Sequence, residues 1–425
     1  QLARLKAGHP RNLVGKLRQA FDALRLERAL DKQHILEQYL NLAPYGAGTI
    51  GVEAASRRIF GKPSRHLSLA EAATLAGLPQ APTLLNPLRA PEAARRRQRT
   101  VLARMLVSGA ISQEEHDRAV REPLQFVDQP PALSAMHFTD WVLAQAPPPG
   151  EVRTTLDLDL QQQIERLVRE HVRSLSAGGL TNAAVVVIDN ADCSLLAMVG
   201  SVDYWDGDDG AVNGAVARRQ PGSALKPFTY ALAFSRGLSP ISVVADVETE
   251  YLGANGTLYA PRNYTDAFSG PVLLAEALGR SLNVPAIRLA NEVGVGALLA
   301  RLRAAGFHSL DQDAGHYGLG LTLGNGEVTL LELGQAYAML ANGGRARPVR
   351  ALRDRPVAEA ATVFSEEVSF LVTDILSDEG LRIRAYGAAT PLLLPFPIAI
   401  KTGTSSNWRD SWAIGYTKRH TIAVW

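Results

Sequence analysis

Apolar positions recur with a helical period through the first part of this chain and with a strand period near its end. Residues 11 to 121 read as nearly all helix. In "LVGKLRQAFDALRLERAL" the residues Leu17, Phe21, Leu24 and Leu30 fall roughly on one face. A shorter helix runs through "HILEQYLNL" and is closed by a turn over Pro44–Gly48. "SLAEAATLAGL" opens on Ser68, with Glu71 three residues on, which predicts a capping box. "PEAARRRQRTVLARMLVSG" places Pro91 in a first turn and Gly109 just past the end. No internal repeat stands out at solenoid periods.

The texture changes between 123 and 150. Pro123, Pro130, Pro131 and the run Pro147–Pro149 predict a linker or extended segment. A second domain is expected from about Glu151. "LDLQQQIERLVREHVRSL" is an amphipathic helix stopped by Gly178 and Gly179. "AAVVVID", Asn190-Ala191-Asp192 and "SLLAMVG" form a hairpin signal with a buried first strand. Helical segments then dominate from 223 to about 380. Strand signals return in "FPIAIKTGTSS", "SWAIGYT" and "HTIAVW". A helical block between the first and last strands of one sheet predicts an α+β domain, and the short final turns predict an antiparallel sheet.

At 425 residues two domains are the default. A hydrophobic share of 46% and a charged share of 20% are those of a soluble globular protein. A net charge of +2 points to no strongly charged partner, and no nucleic-acid partner is expected. The one cysteine, Cys193, excludes an internal disulfide and any multi-cysteine metal site. No run of about 18 uninterrupted apolar residues occurs, so no transmembrane helix is expected within these residues. The chain opens at Gln1 and ends at Trp425 inside a strand-like run. Both ends look cut, so a missing signal or anchor carries no information.

The candidate chemistry centres on "RRQPGSALKPFTYALAF", residues 218–234. A serine hydroxyl needs a base within hydrogen-bond reach to act as a nucleophile. Ser223 and Lys226 are three residues apart, so a helical turn sets an amine beside a hydroxyl. The lysine serves as base only when neutral, which requires burial or a neighbouring positive charge. Ser-x-x-Lys occurs about once by chance in a chain of this composition. Two further elements sharpen it. Ser281-Leu282-Asn283 offers a hydroxyl and an amide where one helix ends and another begins at Val284-Pro285. Lys401-Thr402-Gly403-Thr404 sits on an apolar strand, where Gly403 would admit a close backbone approach by a peptide substrate along the sheet edge.

Ser-x-x-Lys, Ser-x-Asn and Lys-Thr-Gly in this order resemble the set found in penicillin-binding proteins. From 151 to 425 the chain resembles their transpeptidase domain, in "GSALKPFTYALA", "ALGRSLNVPAIRLA", "NGEVTLLELGQAYAMLANGG" and "IAIKTGTSSNWRDSWAIGYT". The resemblance implies an α+β fold akin to serine β-lactamases, and an enzyme that cross-links peptidoglycan stem peptides without a cofactor or metal. It implies that Ser223 attacks the carbonyl between two terminal D-alanines and that Lys226 takes its proton. Ser281 and Asn283 would relay protons and hold the substrate amide. Lys401, Thr402 and Thr404, with Gly403 between them, would fix the terminal carboxylate. The backbone N–H groups of Ser223 and Thr404 would make the oxyanion hole. β-Lactams would be covalent ligands.

"ILEQYLN", "GVEAASRRIFGK" and "LSLAEAATLAGLPQAPTLLNP" resemble the later motifs of the peptidoglycan glycosyltransferase domain, an all-α lysozyme-like fold that precedes the transpeptidase in class A members. The stretch "RNLVGKLRQAFDALRLERAL" is similar to the 1C branch. The implied layout is 1–122 glycosyltransferase, 123–150 linker and 151–425 transpeptidase, truncated at both ends. The substrate would be lipid II, on the periplasmic side of the inner membrane, with an N-terminal anchor ahead of Gln1. Glu37 matches the second of two catalytic glutamates, and the first would lie upstream of Gln1. The family's Arg-Lys-x-x-Glu stretch reads Gly15-Lys16-Leu17-Arg18-Gln19 here, so pyrophosphate contacts fall to Lys16 or Arg18.

Other features take blander readings. Arg95–Arg97 with Arg99 could touch anionic headgroups, but a solvated helix face is the commoner case. "DYWDGDDG" lacks calcium-loop ligand order and reads as a polar loop. Tyr204, Trp205 and Trp408 are candidates for either the cleft mouth or rim packing. A serine β-lactamase shares the three motifs but needs a glutamate for deacylation, and Glu292 and Glu327 fall on either side of the required spacing. A non-catalytic β-lactam sensor would not carry the helical domain. Without the first glutamate, this chain is expected not to polymerise glycan; incorporation of labelled lipid II by it would show that expectation wrong.

Overall fold

The computed structural model describes residues 1–7, 13–46, 49–127, 134–145, 147, 150–206, 209–252, 258–405 and 409–425. Gly48, Pro130, Pro131, Pro148, Pro149, Asp208 and Trp408, singled out above, lie outside them. The chain forms two compact units, Gln1–Leu133 and Ser134–Trp425.

The described residues of the first unit form helices and one short antiparallel pair, Pro44–Gly46 with Thr49–Ile50. Helix Lys32–Leu42 starts where the Asp31 side chain accepts the His34 N–H. Helix Leu69–Gly77 carries the predicted capping box, with Ser68 and Glu71 satisfying each other's backbone N–H groups. Helix Pro91–Val107 begins at its proline, and Gly109 follows in the left-handed region at φ 71°. Ile59, Leu75, Leu78, Leu102 and Leu124 form the heart of the core. Helix Leu13–Ala29 exists as expected, but its apolar stripe is not core: Phe21 and Leu24 are 63% and 58% exposed. The Arg95–Arg97 run is partly structural, because Arg95 donates to the Leu124 carbonyl.

The second unit is built on a five-stranded antiparallel sheet. Its order is Ala399–Thr404, Ser411–Tyr416, His420–Val424, Val185–Asp189, Leu195–Val199. The last strand in sequence therefore pairs with the first, and the helical block closes back over the sheet. "VVVID" reads as a continuous apolar run because both faces of that strand are covered. Val186 and Ile188 face the main core, while Val185 and Val187 pack with Val168 and Val172 of helix Leu158–Leu175.

The linker expected over 123–150 is corrected at both ends. Leu124 packs into the first unit's core. Met136–Ala144 is a helix whose Phe138 and Val142 are buried in the second unit's main core. Its apolar face in "MHFTDWVLA" was hidden in the sequence by the prolines on either side. Three strand pairs among the described residues also interrupt the helical block: Val243–Asp246 with Gly270–Leu273, Tyr251–Leu252 with Leu258–Tyr259, and Arg345–Ala346 with Ala361–Thr362. They are too short to leave a period-2 signature.

Helix Lys226–Phe234 is buried along its whole length and forms the centre of this unit. Phe228 meets the rings of Phe307 and Tyr337 edge-on, at 5.4 and 5.6 Å between centroids. Phe228→Ala is expected to lower the unfolding free energy of the second unit by about 3–5 kcal/mol, measured as a fall in its urea midpoint at unchanged slope.

Candidate active site

The turn Gly222–Leu225 leads directly into helix Lys226–Phe234, and the Lys226 N–H donates to the Ser223 carbonyl. One tight turn therefore separates the hydroxyl from the amine, as the spacing predicts. Pro227 suits the first helical turn, where its missing N–H costs nothing. Tyr337 Oη donates to the Ala224 carbonyl at 2.7 Å and pins the turn from the core side. Trp412 Nε1 donates to the Gln220 carbonyl at 2.9 Å and pins it from the sheet.

Lys226 is fully buried. Its Nζ donates to the Ser281 carbonyl at 2.5 Å and to Asn283 Oδ1 at 2.6 Å, with Ser281 Oγ at 3.4 Å. Burial, then the charge of Lys401, hold this amine well below the ordinary lysine value. Both conditions for a neutral lysine are thus met. A neutral amine has two N–H groups and one lone pair. The two short contacts use the N–H groups and leave the lone pair for a hydroxyl proton.

Ser281 stands at a helix end of defined geometry. Helix Leu274–Gly279 stops with Ser281 N–H on the Leu278 carbonyl and Leu282 N–H on the Ala277 carbonyl. That is a Schellman motif, whose left-handed position is usually glycine. Here it is Ser281, at φ 60°. A side chain in this conformation costs roughly 1–2 kcal/mol, and a hydroxyl between two lysines is what it provides. Lys401 Nζ donates to Ser281 Oγ and to the Thr402 carbonyl, both at 2.8 Å. Burial pushes the Lys401 amine down to about 7.

Strand Ala399–Thr404 carries Lys401 to this point as the sheet's edge strand. A Cβ on Gly403 would overlap the Pro221 carbonyl oxygen and crowd Ala224. A Cβ on Gly222, which has φ 57°, would overlap the backbone of Thr404. The chain's own serine-bearing turn makes a close backbone approach at Gly403. Gly403 lets strand and turn touch backbone to backbone, a packing role.

Ser223, Ser281, Asn283, Thr402, Gly403 and Thr404 line one cleft of about 980 Å³. Arg280 and Arg384 lie on its wall, as do Tyr251, Tyr259 and Tyr386. Among the described residues lining it there is no aspartate or glutamate. Thr402 Oγ1 shares a 2.6 Å hydrogen bond with Tyr386 Oη. Tyr204 and Trp205 are not part of the lining; Tyr204 donates to Asp140 at 2.7 Å and packs edge-on against His137. Glu292 and Glu327 are exposed and also lie outside it. No cluster of metal ligands occurs among the described residues. Cys193 is buried, and burial pushes its thiol up to about 11, so it is inert.

In the first unit Glu37 is an exposed residue of helix Lys32–Leu42. Lys16 and Arg18 are exposed on helix Leu13–Ala29. No hydrogen bond among the described residues joins these three. Sequence reasoning missed Asp246, Asn263, Tyr386 and Trp412. Each acts through a partner far away in the chain and leaves no local pattern.

Residues 183–425 match the family model of the penicillin binding protein transpeptidase domain, and residues 1–106 match that of the transglycosylases. The chain is 36% identical to penicillin-binding protein 1C of Escherichia coli, over 100% of this chain and 54% of that protein. It is 31% identical to penicillin-binding protein 2D of Bacillus subtilis, over 98% of this chain and 63% of that protein. It thus spans a little over half the length of these relatives. The crystal structure of penicillin-binding protein 1A from Haemophilus influenzae superposes with a TM-score of 0.67, covering 93% of this chain and 81% of that one at 24% identity. The PonA1 protein of Mycobacterium tuberculosis, in complex with penicillin V, gives 0.52 over 68% of this chain and 81% of that one at 22% identity.

Replacing Lys401 by glutamine removes the positive neighbour that depresses Lys226. Below about pH 7, where Lys401 is charged, the Lys226 titration is expected to move to higher pH. NMR of the lysine ε-carbons reads this directly, and an unmoved transition would show that the two amines are not coupled.

Proposed function

The chain belongs to the penicillin-binding proteins and, with a transglycosylase part ahead of its transpeptidase part, to their class A; on that premise we propose that its second unit is a serine D,D-transpeptidase acting on peptidoglycan stem peptides. The observation that carries this reading is the buried amine of Lys226, one turn from Ser223 and held by two acceptors of the Ser-x-Asn segment.

Ser223 Oγ attacks the carbonyl between the two terminal D-alanines while its proton passes to Lys226 Nζ. The backbone N–H groups of Ser223 and Thr404, both on the cleft wall, stabilise the developing oxyanion. The C–N bond then breaks, leaving the acyl group on Ser223. The proton reaches the departing D-alanine amine through Ser281 Oγ, which lies between the two lysines. An amine from a neighbouring stem attacks the ester carbonyl and loses a proton to Lys226. The ester C–O bond breaks, Lys226 returns that proton to Ser223 Oγ, and the acyl group is left in the cross-linking amide. The terminal carboxylate binds near Lys401, Thr404 and Thr402, the last backed by Tyr386. A cleft wall with arginines and without carboxylates favours an anionic peptide.

A β-lactam takes the same path and stops at the acyl-enzyme. A lactamase would need a carboxylate to activate water, and the cleft wall described here offers none. In the whole protein the first unit contributes glycosyl transfer from lipid II, with Glu37 as one of its acids and Lys16 or Arg18 near the pyrophosphate. Such a protein works at the outer face of the cell membrane. No helix among the described residues is long and apolar enough to cross it.

Incubation with a penicillin is expected to add one drug mass, mapped to the tryptic peptide that contains Ser223 and persisting for long periods. Ser223→Ala abolishes the adduct, and Lys226→Ala slows its formation by about 10²–10⁴-fold. An adduct elsewhere, or one lost within seconds, would overturn the assignment.

A further inference from the structure

Asn283 holds Lys226, and something must hold Asn283. Its side-chain Nδ2 donates to the Arg262 carbonyl at 2.8 Å, which turns its Oδ1 toward the lysine. Its backbone N–H opens helix Asn283–Val293, and Leu282, just ahead of that helix, makes no side-chain cap. The cap comes instead from a remote loop. Asn263 Oδ1 accepts the N–H of Asn283 at 2.8 Å and that of Val284 at 3.3 Å. Two of the helix's first N–H groups are thereby satisfied from outside the helix.

Asn263 is 5% exposed, and its amide orientation is itself determined. Its Nδ2 donates to both carboxylate oxygens of Asp246, at 2.8 and 3.0 Å, and to the Ala267 carbonyl at 3.0 Å. Asp246 is fully buried at the end of strand Val243–Asp246, where it also accepts the Ser269 N–H at 2.8 Å. A flipped Asn263 would set oxygen against carboxylate on one side and N–H against N–H on the other. The carboxylate excludes that flip.

We propose that Asp246 and Asn263 are positioning residues for the reaction at Ser223. The Asp246 carboxylate orients the Asn263 amide, Asn263 anchors the first turn of the helix that carries Asn283, and Asn283 Oδ1 is thereby kept on Lys226 Nζ. This rests on the reading of Ser223 and Lys226 as nucleophile and base. Neither positioning residue touches Lys226. Their effect is on how often the amine is correctly placed, so it falls on the bond-forming step and spares penicillin affinity.

The test is penicillin acylation of the full chain, resolved into the saturating rate constant and the apparent Kd, for Asp246→Asn, Asn263→Asp and the two combined. Asn263→Asp sets two carboxylates in contact and is expected to lower the saturating rate about 10–100-fold at near-unchanged Kd, the scale of a hydrogen bond to a charged group. Asp246→Asn is expected to lower it about 3–10-fold. The double variant exchanges donor and acceptor, so it is expected to recover to within about 3-fold of the parent. A merely structural role would lower the melting temperature without this split and without rescue by the exchange. A folded Asn263→Asp chain acylating at the parent rate, or a double variant no faster than it, overturns the proposal. If Asn263→Asp does not fold, a parent-like rate for folded Asp246→Asn does the same. Failure of the parent chain to acylate at Ser223 would instead overturn the transpeptidase reading.

Discussion

A primary amine held out of water, with its N–H groups engaged by a backbone carbonyl and an amide oxygen, is the constraint on which the second unit depends. Burial penalises the ammonium form, and the approach of Lys401 penalises it further. Among the described residues no carboxylate hydrogen-bonds Lys226; its hydrogen bonds go to Ser281 and Asn283. An isolated buried cation would be very costly, so burial favours the neutral amine, the form a base requires. Ser281 adds backbone strain at the same spot. The site is therefore a local destabilisation, supported by the large apolar core around helix Lys226–Phe234.

Sheet topology makes the convergence possible. The N-terminal hairpin and the C-terminal strands share one sheet, so the helical block between them closes over the sheet's face. The serine turn then lands against the edge strand with no side chain between Gly222, Gly403 and their neighbours' backbones. Lys401 and Lys226 both reach Ser281 Oγ although each belongs to a different element. Rigid elements, fixed by packing, hold all three motifs.

Much of this was legible beforehand. The capping box at Ser68, the proline start at Pro91, the hairpin around Asn190 and the final three strands are local patterns, and each has its place in the fold. The helix Met136–Ala144 was not legible, because flanking prolines gave its segment the composition of a linker. The stripe of Phe21 and Leu24 misled in the opposite way: period alone cannot tell a covered apolar face from an uncovered one. Gly403 was legible as a point of close approach, and the serine-bearing turn is a backbone that makes one there. Asp246 and Asn263 were invisible, since a single aspartate at a strand end or asparagine in a loop resembles any turn residue.

The amino-acid order alone determined which chemical groups exist and at what local spacing: a serine one turn from a lysine, a second serine two residues from an asparagine, a lysine on an apolar strand. Those are properties of near neighbours, set by helix and strand repeat. Only the tertiary structure decided that the Lys226 amine is buried, that Ser281 adopts a left-handed backbone between two lysines, and that Asp246 governs an amide on another loop. Burial and long-range backbone contact are sums over residues distant in the chain, and no local window contains them.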